Sequence, residues 1–263
     1  EENFMDFALE DLTNLKIERN QLVKNSGGSI GTIYEKTSNG KKFRILGNPT
    51  LGTIRNIMIG IRNPARTALG SDDGMDKSVI VWVNELRLTD VDNKGGWAAN
   101  VRASTTLADF GSISVSTNIK TAGFGSLESR INDRLMNDTY QYDIITNFEL
   151  GKFFPDRFGV KVPLFFGFSE YYETPYYNPY DQDVKLKDVL NSYETNRERD
   201  SLKRITQTLT RRKSFSLSNI RVMPDWSTPH VFSISNLSAS YAFNETYSRN
   251  MNTLNNTQKN YSG

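Results

Sequence analysis

Between Trp97 and Thr121 the chain reads WAANVRASTTLADFGSISVSTNIKT, and its polarity alternates residue by residue. Trp97, Ala99, Val101, Ala103, Thr105 and Leu107 fall on one side; Asn100, Arg102, Ser104 and Thr106 fall on the other. After Asp109-Phe110-Gly111 the alternation resumes, with Ile113, Val115, Thr117 and Ile119 against Ser112, Ser114, Ser116, Asn118 and Lys120. A period of two means strands, because successive side chains leave a pleated backbone on opposite faces. Two such strands joined by a tight turn make an antiparallel hairpin with one greasy and one wet face. Each face then demands its own surroundings.

The pattern recurs. TYQYDIITNFELGKFF sets Tyr140, Tyr142, Ile144, Phe148 and Leu150 against Gln141, Asp143, Asn147 and Glu149. A turn at Pro155-Asp156-Arg157 leads into GVKVPLFFGFSEYY. There Val160, Val162, Leu164, Phe166 and Phe168 oppose Lys161, Gly167 and Ser169, with Phe165 out of phase. KSFSLSNIRV and HVFSISNLSASYAFNETY form a third pair across Met223-Pro224-Asp225. Their parity slips near Asn219 and Asn236, which predicts bulges or the end of regular pairing. The links at Asp109, Pro155 and Pro224 are short, while 122–139 and 173–212 are long. The second long link holds DVLNSYETNRERDSLKRITQTL, whose only apolar punctuation is Leu190, Tyr193, Leu202 and Ile205; it reads as a solvated surface helix. An Asn/Thr/Ser-rich tail follows, and the chain reads as a piece of something longer.

Residues 1–93 read differently, as a compact β-sandwich-like unit. Lys42 to Leu46 makes a short strand before the turn Gly47-Asn48-Pro49. Ile57, Ile59 and Ile61 alternate until Asn63-Pro64 breaks the strand. Ser71 to Gly74 is a loop, as is SGGSIG from Ser26. In VIVWVNELRL both faces are apolar, Val79, Val81 and Val83 against Ile80 and Trp82, which predicts a strand sandwiched in a core.

Composition removes several functions. A net charge of +2, from 32 basic and 30 acidic side chains, gives no general pull on polyanions, so nucleic acid is not expected as a partner. The one basic run, Arg211-Arg212-Lys213, reads as an exposed turn flank. Without cysteine there is no disulfide, thiolate zinc site or cysteine nucleophile. The single histidine, His230, builds no multi-histidine metal site and reads as structural. Gly123 and Gly125 lack the third glycine of a dinucleotide fingerprint, and Asp72, Asp73 and Asp76 lack the spacing of an EF-hand loop. There is no Gly-x-Ser-x-Gly elbow, and Asp109 and Glu149 have no evident partner. No catalytic, cofactor or metal residue is therefore assigned, and an enzyme is not expected. Glu1-Glu2-Asn3 opens no signal peptide, and no run approaches the ~20 apolar residues of a transmembrane helix. That leaves transmembrane β-barrels untouched.

Two surroundings suit the greasy face. A soluble sandwich also has alternating strands. Against it, about ten residues at roughly 3.3 Å each and a tilt of ~40° span about 25 Å, the height of a barrel's lipid-facing band. Aromatic residues also collect at both strand ends: Phe110, Phe153, Phe154, Phe158 and Trp226 near the short turns, and Trp97, Tyr140, Tyr142, Tyr171, Tyr172 and Tyr241 near the long loops. Roughly six strands fall short of the about eight that close the smallest transmembrane barrel. A lipid-facing sheet here would need the remainder of its barrel from elsewhere.

Several blocks then show a family likeness. The run from Val81 to Arg130, VWVNELRLTDVDNKGGWAANVRASTTLADFGSISVSTNIKTAGFGSLESR, resembles the SprA/Sov family of outer-membrane translocons in the Bacteroidota type IX secretion system. DLTNLKIERN (Asp11 to Asn20), GNPTLGTIRNIMIGIRNP (Gly47 to Pro64), ELGKFFP (Glu149 to Pro155) and YYNPYDQDV (Tyr176 to Val184) resemble the same family, and the chain past Arg212 does so more loosely. The resemblance implies a section of a giant barrel wall in the bacterial outer membrane, through which folded cargo proteins cross to the cell surface. It also implies a plug protein and a PorV-like barrel partner. On that reading residues 1–93 form part of an extracellular cap and 94–263 the wall. Asn100, Arg102, Ser104, Ser112, Ser114, Ser116, Asn118, Asp143, Asn147, Glu149 and Lys161 would face the lumen. Val101, Leu107, Ile113, Val115, Ile119, Ile144, Phe148, Leu150, Val162, Leu164 and Phe166 would face lipid. A soluble β-sandwich that binds carbohydrate or protein, and a glycan-processing enzyme with paired carboxylates in a pocket, are the alternatives; a need for detergent separates the first from the wall.

Overall fold

The computed structural model describes residues 5–62, 75–91, 95–130, 133–225 and 233–263. Asn63-Pro64, the loop from Ser71 to Gly74, Trp226 and His230 lie outside them. Strand accounts for 42% and helix for 21%, so the chain is mainly β, in antiparallel sheets, with no closed barrel in this segment.

The chain opens with a helix that its sequence did not announce, α1 (Leu9–Ser26). Glu10 and Asp11 sit in its first turn, Lys24 in its last, and Gly27 closes it in the left-handed conformation. A hairpin follows, β1 (Tyr34–Ser38) and β2 (Lys41–Ile45). Asn39 and Gly40 between them both have positive φ, as a two-residue hairpin turn requires.

The next two expected strands are absent. Residues 54–62 and 75–91 carry no regular secondary structure, and their apolar side chains are exposed, Met58 at 96% and Trp82 at 89%. The composition of a doubly buried strand is there, but no strand among the described residues pairs with either segment. Without a neighbour to take its N–H and C=O groups, an apolar run does not become a strand.

The large sheet is then laid down in hairpins. It contains β3 (Ala98–Leu107), β4 (Gly111–Lys120), β5 (Asn137–Glu149), the two-residue β6 (Val160–Lys161) and β7 (Pro163–Pro175). The long link after β7 holds a small hairpin, β8 (Tyr177–Asn178) and β9 (Asp181–Lys185), then helices α2 (Leu186–Ser192) and α3 (Asn196–Thr206). The sheet resumes with β10 (Thr208–Val222), β11 (Ala239–Arg249) and β12 (Asn256–Ser262). Its order is β12-β11-β10-β7-β5-β4-β3, with β6 on the far end of β10.

Register slips between Leu217 and Ile220, where Asn219 has φ 55°, so the slip there is a bulge. The one near Asn236 is a 3₁₀ turn, Ile234–Asn236, ahead of β11. Gly159 turns the chain at φ 55°, and a Cβ there would stand 1.8 Å from the Met223 carbonyl oxygen. The polar tail forms β12, because β11 offers it an edge. Arg211-Arg212-Lys213 lies inside β10 and flanks no turn.

Candidate functional site

Register fixes which side chains share a face, because directly paired residues project to the same side. One row across the sheet runs Arg102, Ser116, Asp143, Ser169, Arg212, Thr246 and Gln258, from β3 to β12. Asp143 is its hub, accepting from Ser169 Oγ at 2.7 Å, Gln141 Nε2 at 3.0 Å and Ser116 Oγ at 3.5 Å. Rows on either side carry Asn100, Asn118 and Gln141, and Ser104, Ser114 and Ser214. Ser112, Asn147 and Phe165 lie one row nearer the turns, so Phe165 stands on the polar face. Glu149 sits at the end of β5, where its Oε1 accepts from Val162 N at 2.6 Å, and Lys161 lies on β6. Asp109 likewise has a partner, Lys152 Nζ at 3.8 Å.

The opposite face holds Val101, Leu107, Ile113, Val115, Ile119, Ile144, Phe148, Leu164 and Phe166 in register. Leu150 and Val162 fall outside the strands, in the turn region linked by the Leu150 N–H to Val162 O bond of 2.9 Å. Aromatic rings gather toward the turn end. Phe110 lies 5.2 Å from Phe148 and 5.0 Å from Phe153. Phe215 and Tyr241 are 6.4 Å apart and Phe243 and Tyr261 are 5.1 Å apart.

The apolar face is not apolar throughout. The row Ala103, Val115, Ile144, Phe168 continues as Lys213, Glu245 and Lys259. Lys213 and Lys259 stand 4.0 and 3.6 Å from Glu245, and Arg211 pairs with Glu170 in the next row. These five charges were missed in the sequence. The signal was there: if Phe215 and Leu217 are on the greasy face, Arg211 and Lys213 share it.

At the long-loop end the helices are packed, which corrects the reading of Asp188 to Leu209 as a solvated surface helix: Thr206 and Leu209 within it are buried. Leu186 of α2 is 1% exposed, and Gln21 Nε2 of α1 donates to Ser192 O at 2.7 Å. Lys24 pairs with Glu198 at 2.5 Å and lies 4.1 Å over the Tyr193 ring. The centre of this junction is Lys16, 2% exposed. It donates to Pro49 O at 2.7 Å, to Asp183 at 3.0 Å and to Asp181. Burial raises the Asp181 carboxyl above its ordinary value. Burial also pushes Asp183 upward, but it ends below its ordinary value, held there by hydrogen bonds from Asp181, Lys16 and the Leu51 N–H. Two carboxylates in one site cannot both titrate normally. A cleft of about 410 Å³ beside α1 is lined by Asp11, Glu18, Phe43 and Asp188, and Glu18 is taken up by Lys36.

Among the described residues no group of three or more His, Asp or Glu side chains is set to hold a metal, and no helix is long and apolar enough to cross a membrane. The latter says nothing of strands. Comparison with curated proteins gives no match. The profile of the SprA N-terminal family, described as motility related/secretion protein, matches residues 1–190. The chain belongs to that family. Membership makes it a motility- and secretion-related protein, in a family described by secretion and not by an enzymatic activity.

Proposed function

We propose that residues 94–263 are a section of the wall of a large outer-membrane β-barrel that conducts folded proteins in type IX secretion, and that residues 1–93 contribute to an extracellular cap. The observation that carries this reading is the division of one continuous sheet into an apolar face from β3 to β7 and a hydrogen-bonded polar face behind it. A water-filled lumen supplies solvent to Asp143 and its serines; hydrocarbon suits Val115, Ile144 and Phe168. Among the described residues each outer strand, β3 and β12, has a single neighbour, and the remainder of the same barrel would provide the second. Family membership supports secretion as the process. On this reading the partners are cargo proteins, outer-membrane lipid, a plug that seals the pore and a PorV-like barrel protein.

Cysteines at adjacent positions test it in the intact protein in cells. Ser116→Cys should react with a small membrane-impermeant thiol reagent, while Val115→Cys should stay protected until the membrane is dissolved. Equal labelling of the two sinks the wall reading and favours a soluble sandwich.

A further inference from the structure

The upper limit of the apolar face is oblique to the strands. On β4 and β5 the greasy row reaches Ile119 and Tyr140, which pair with each other. On β7 it stops at Phe168, because Glu170 comes next on that face; on β10 it stops at Phe215, below Lys213 and Arg211. On β11 and β12 it stops at Phe243 and Tyr261, below Glu245 and Lys259. Phe215, Phe243 and Tyr261 lie in the same row as Ile113 of β4. From Ile119 to Ile113 is about 20 Å along a strand, and five strand spacings from β4 to β12 are about 24 Å. That slope is about 40°, matching the roughly 35–45° at which strands lean in membrane barrels. In strands leaning by that angle the limit runs level with the membrane, and the charges beyond it lie at one height.

We infer that Arg211, Lys213 and Lys259, with Glu170 and Glu245 between them, form a belt that binds the phosphate groups of anionic lipid headgroups at the long-loop side of the membrane. Charge decides for an anion. The cations are the outer groups, 37%, 46% and 49% exposed, while Glu170 and Glu245 are 13% and 23% exposed. Arg249, one row further out, adds a cation whose buried Nε has no hydrogen-bond partner. Tyr247 and Tyr172 lie in the same rows, and tyrosine favours the layer where a ring can stay apolar and its hydroxyl wet. Hydrocarbon is a poor alternative, because Lys and Arg cost far more at the bilayer midplane than near the interface. A covering protein is poorer still, since it would desolvate four cations that share two carboxylates. The inference rests on the wall reading.

The test uses the intact protein. Delipidated in neutral detergent and titrated with phosphatidylglycerol, its apparent affinity is read by native mass spectrometry. Lys213→Gln with Lys259→Gln should weaken it roughly thirtyfold, about fivefold for each charge removed near an anionic surface. Glu245→Gln should strengthen binding; weaker binding there, or no change in the double variant, overturns the inference. Position is read separately in nanodiscs, with fluorophores on Thr257→Cys and Val115→Cys. Quenching of Thr257 by headgroup-labelled lipid and of Val115 by tail-labelled lipid is expected. Thr257 quenched from the tails, or by neither lipid, overturns the belt while leaving the wall intact. Val115 unquenched by tail-labelled lipid overturns the wall, and the belt with it.

Discussion

At Lys16 one ammonium joins segments 165 residues apart along the chain, because it meets Asp181 as well as Asp183 and the Pro49 carbonyl. Replacing it by methionine would leave two carboxylates buried without a cation, and such losses cost about 3–5 kcal/mol. Lys16→Met should therefore release α1 from the loop, read as hydrogen exchange in 9–26 rising to that of a free helix while the β4 and β5 amides stay protected. Nothing in local pattern reveals this site, since periodicity compares residues two to four apart. The faces of β4 are the opposite case. Val115 and Ser116 were assignable from alternation alone, and the register sets them on opposite sides as alternation requires. Val115→Arg should cost about 2–4 kcal/mol in folding into bilayers if Val115 lies near the midplane, and much less near the interface. The same substitution at Ser116 should be nearly neutral, and equal costs would argue that both faces meet the same medium.

Elements were legible where pleat and neighbours agree. The strands β3, β4 and β5 alternate, β7 does so apart from Phe165 and Glu170, and each finds a partner of matching length, so pattern and structure largely coincide. Pattern failed in three other places. The helix α1 carries Lys16 and Arg19 on its buried side, so its inner face reads as polar. The strand β12 is polar on both sides and exists through its pairing with β11. The runs at 54–62 and 75–91 have strand composition but no strand beside them. The docking of α1 also has a pH dependence with a definite sign. Asp183 has a folded value below the ordinary one, so its contribution is complete above the unfolded carboxylate value and is lost as pH falls through the depressed value. Asp181 is raised, so its protonation on acidification favours the docked state and arrives first. Protection of α1 should hold, or rise slightly, through the upper carboxylate range and collapse only in stronger acid. Asp183→Asn, which cannot titrate, should lower the protection of α1 already at neutral pH and flatten the acid collapse; a collapse of unchanged depth and position would remove Asp183 as its cause.

For the whole molecule, the asymmetry of the sheet's two ends decides orientation. Among the described residues one end carries the turn at Ala108, the 3₁₀ turns after β5 and the 223–238 link between β10 and β11, and no α-helix lies there. That link is longer than the short turn expected at Met223-Pro224-Asp225, because β11 begins only at Ala239. The other carries the short turn between β11 and β12, the hairpin β8–β9 and the helices α2 and α3, with α1 docked on β9 and α2 and the N-terminal hairpin packed on α1. In outer-membrane barrels short turns lie in the periplasm and long loops outside. The docked body should therefore sit at the extracellular mouth, where it can narrow the exit or meet a partner. An epitope tag is best placed after Leu127, which is fully exposed between β4 and β5, because an insertion in the other long link would break into α2 or α3. A second tag belongs after Gly28, between α1 and β1, where the backbone is exposed. Both should stain on intact cells. Staining of both only after the outer membrane is permeabilised would invert the topology, turns outward and loops inward. Staining of Leu127 alone would keep the wall's orientation and refute the docking of α1 beside it, because a helix held by Lys16 against Asp181 and Asp183 must lie on the same side of the membrane as the loop that carries them.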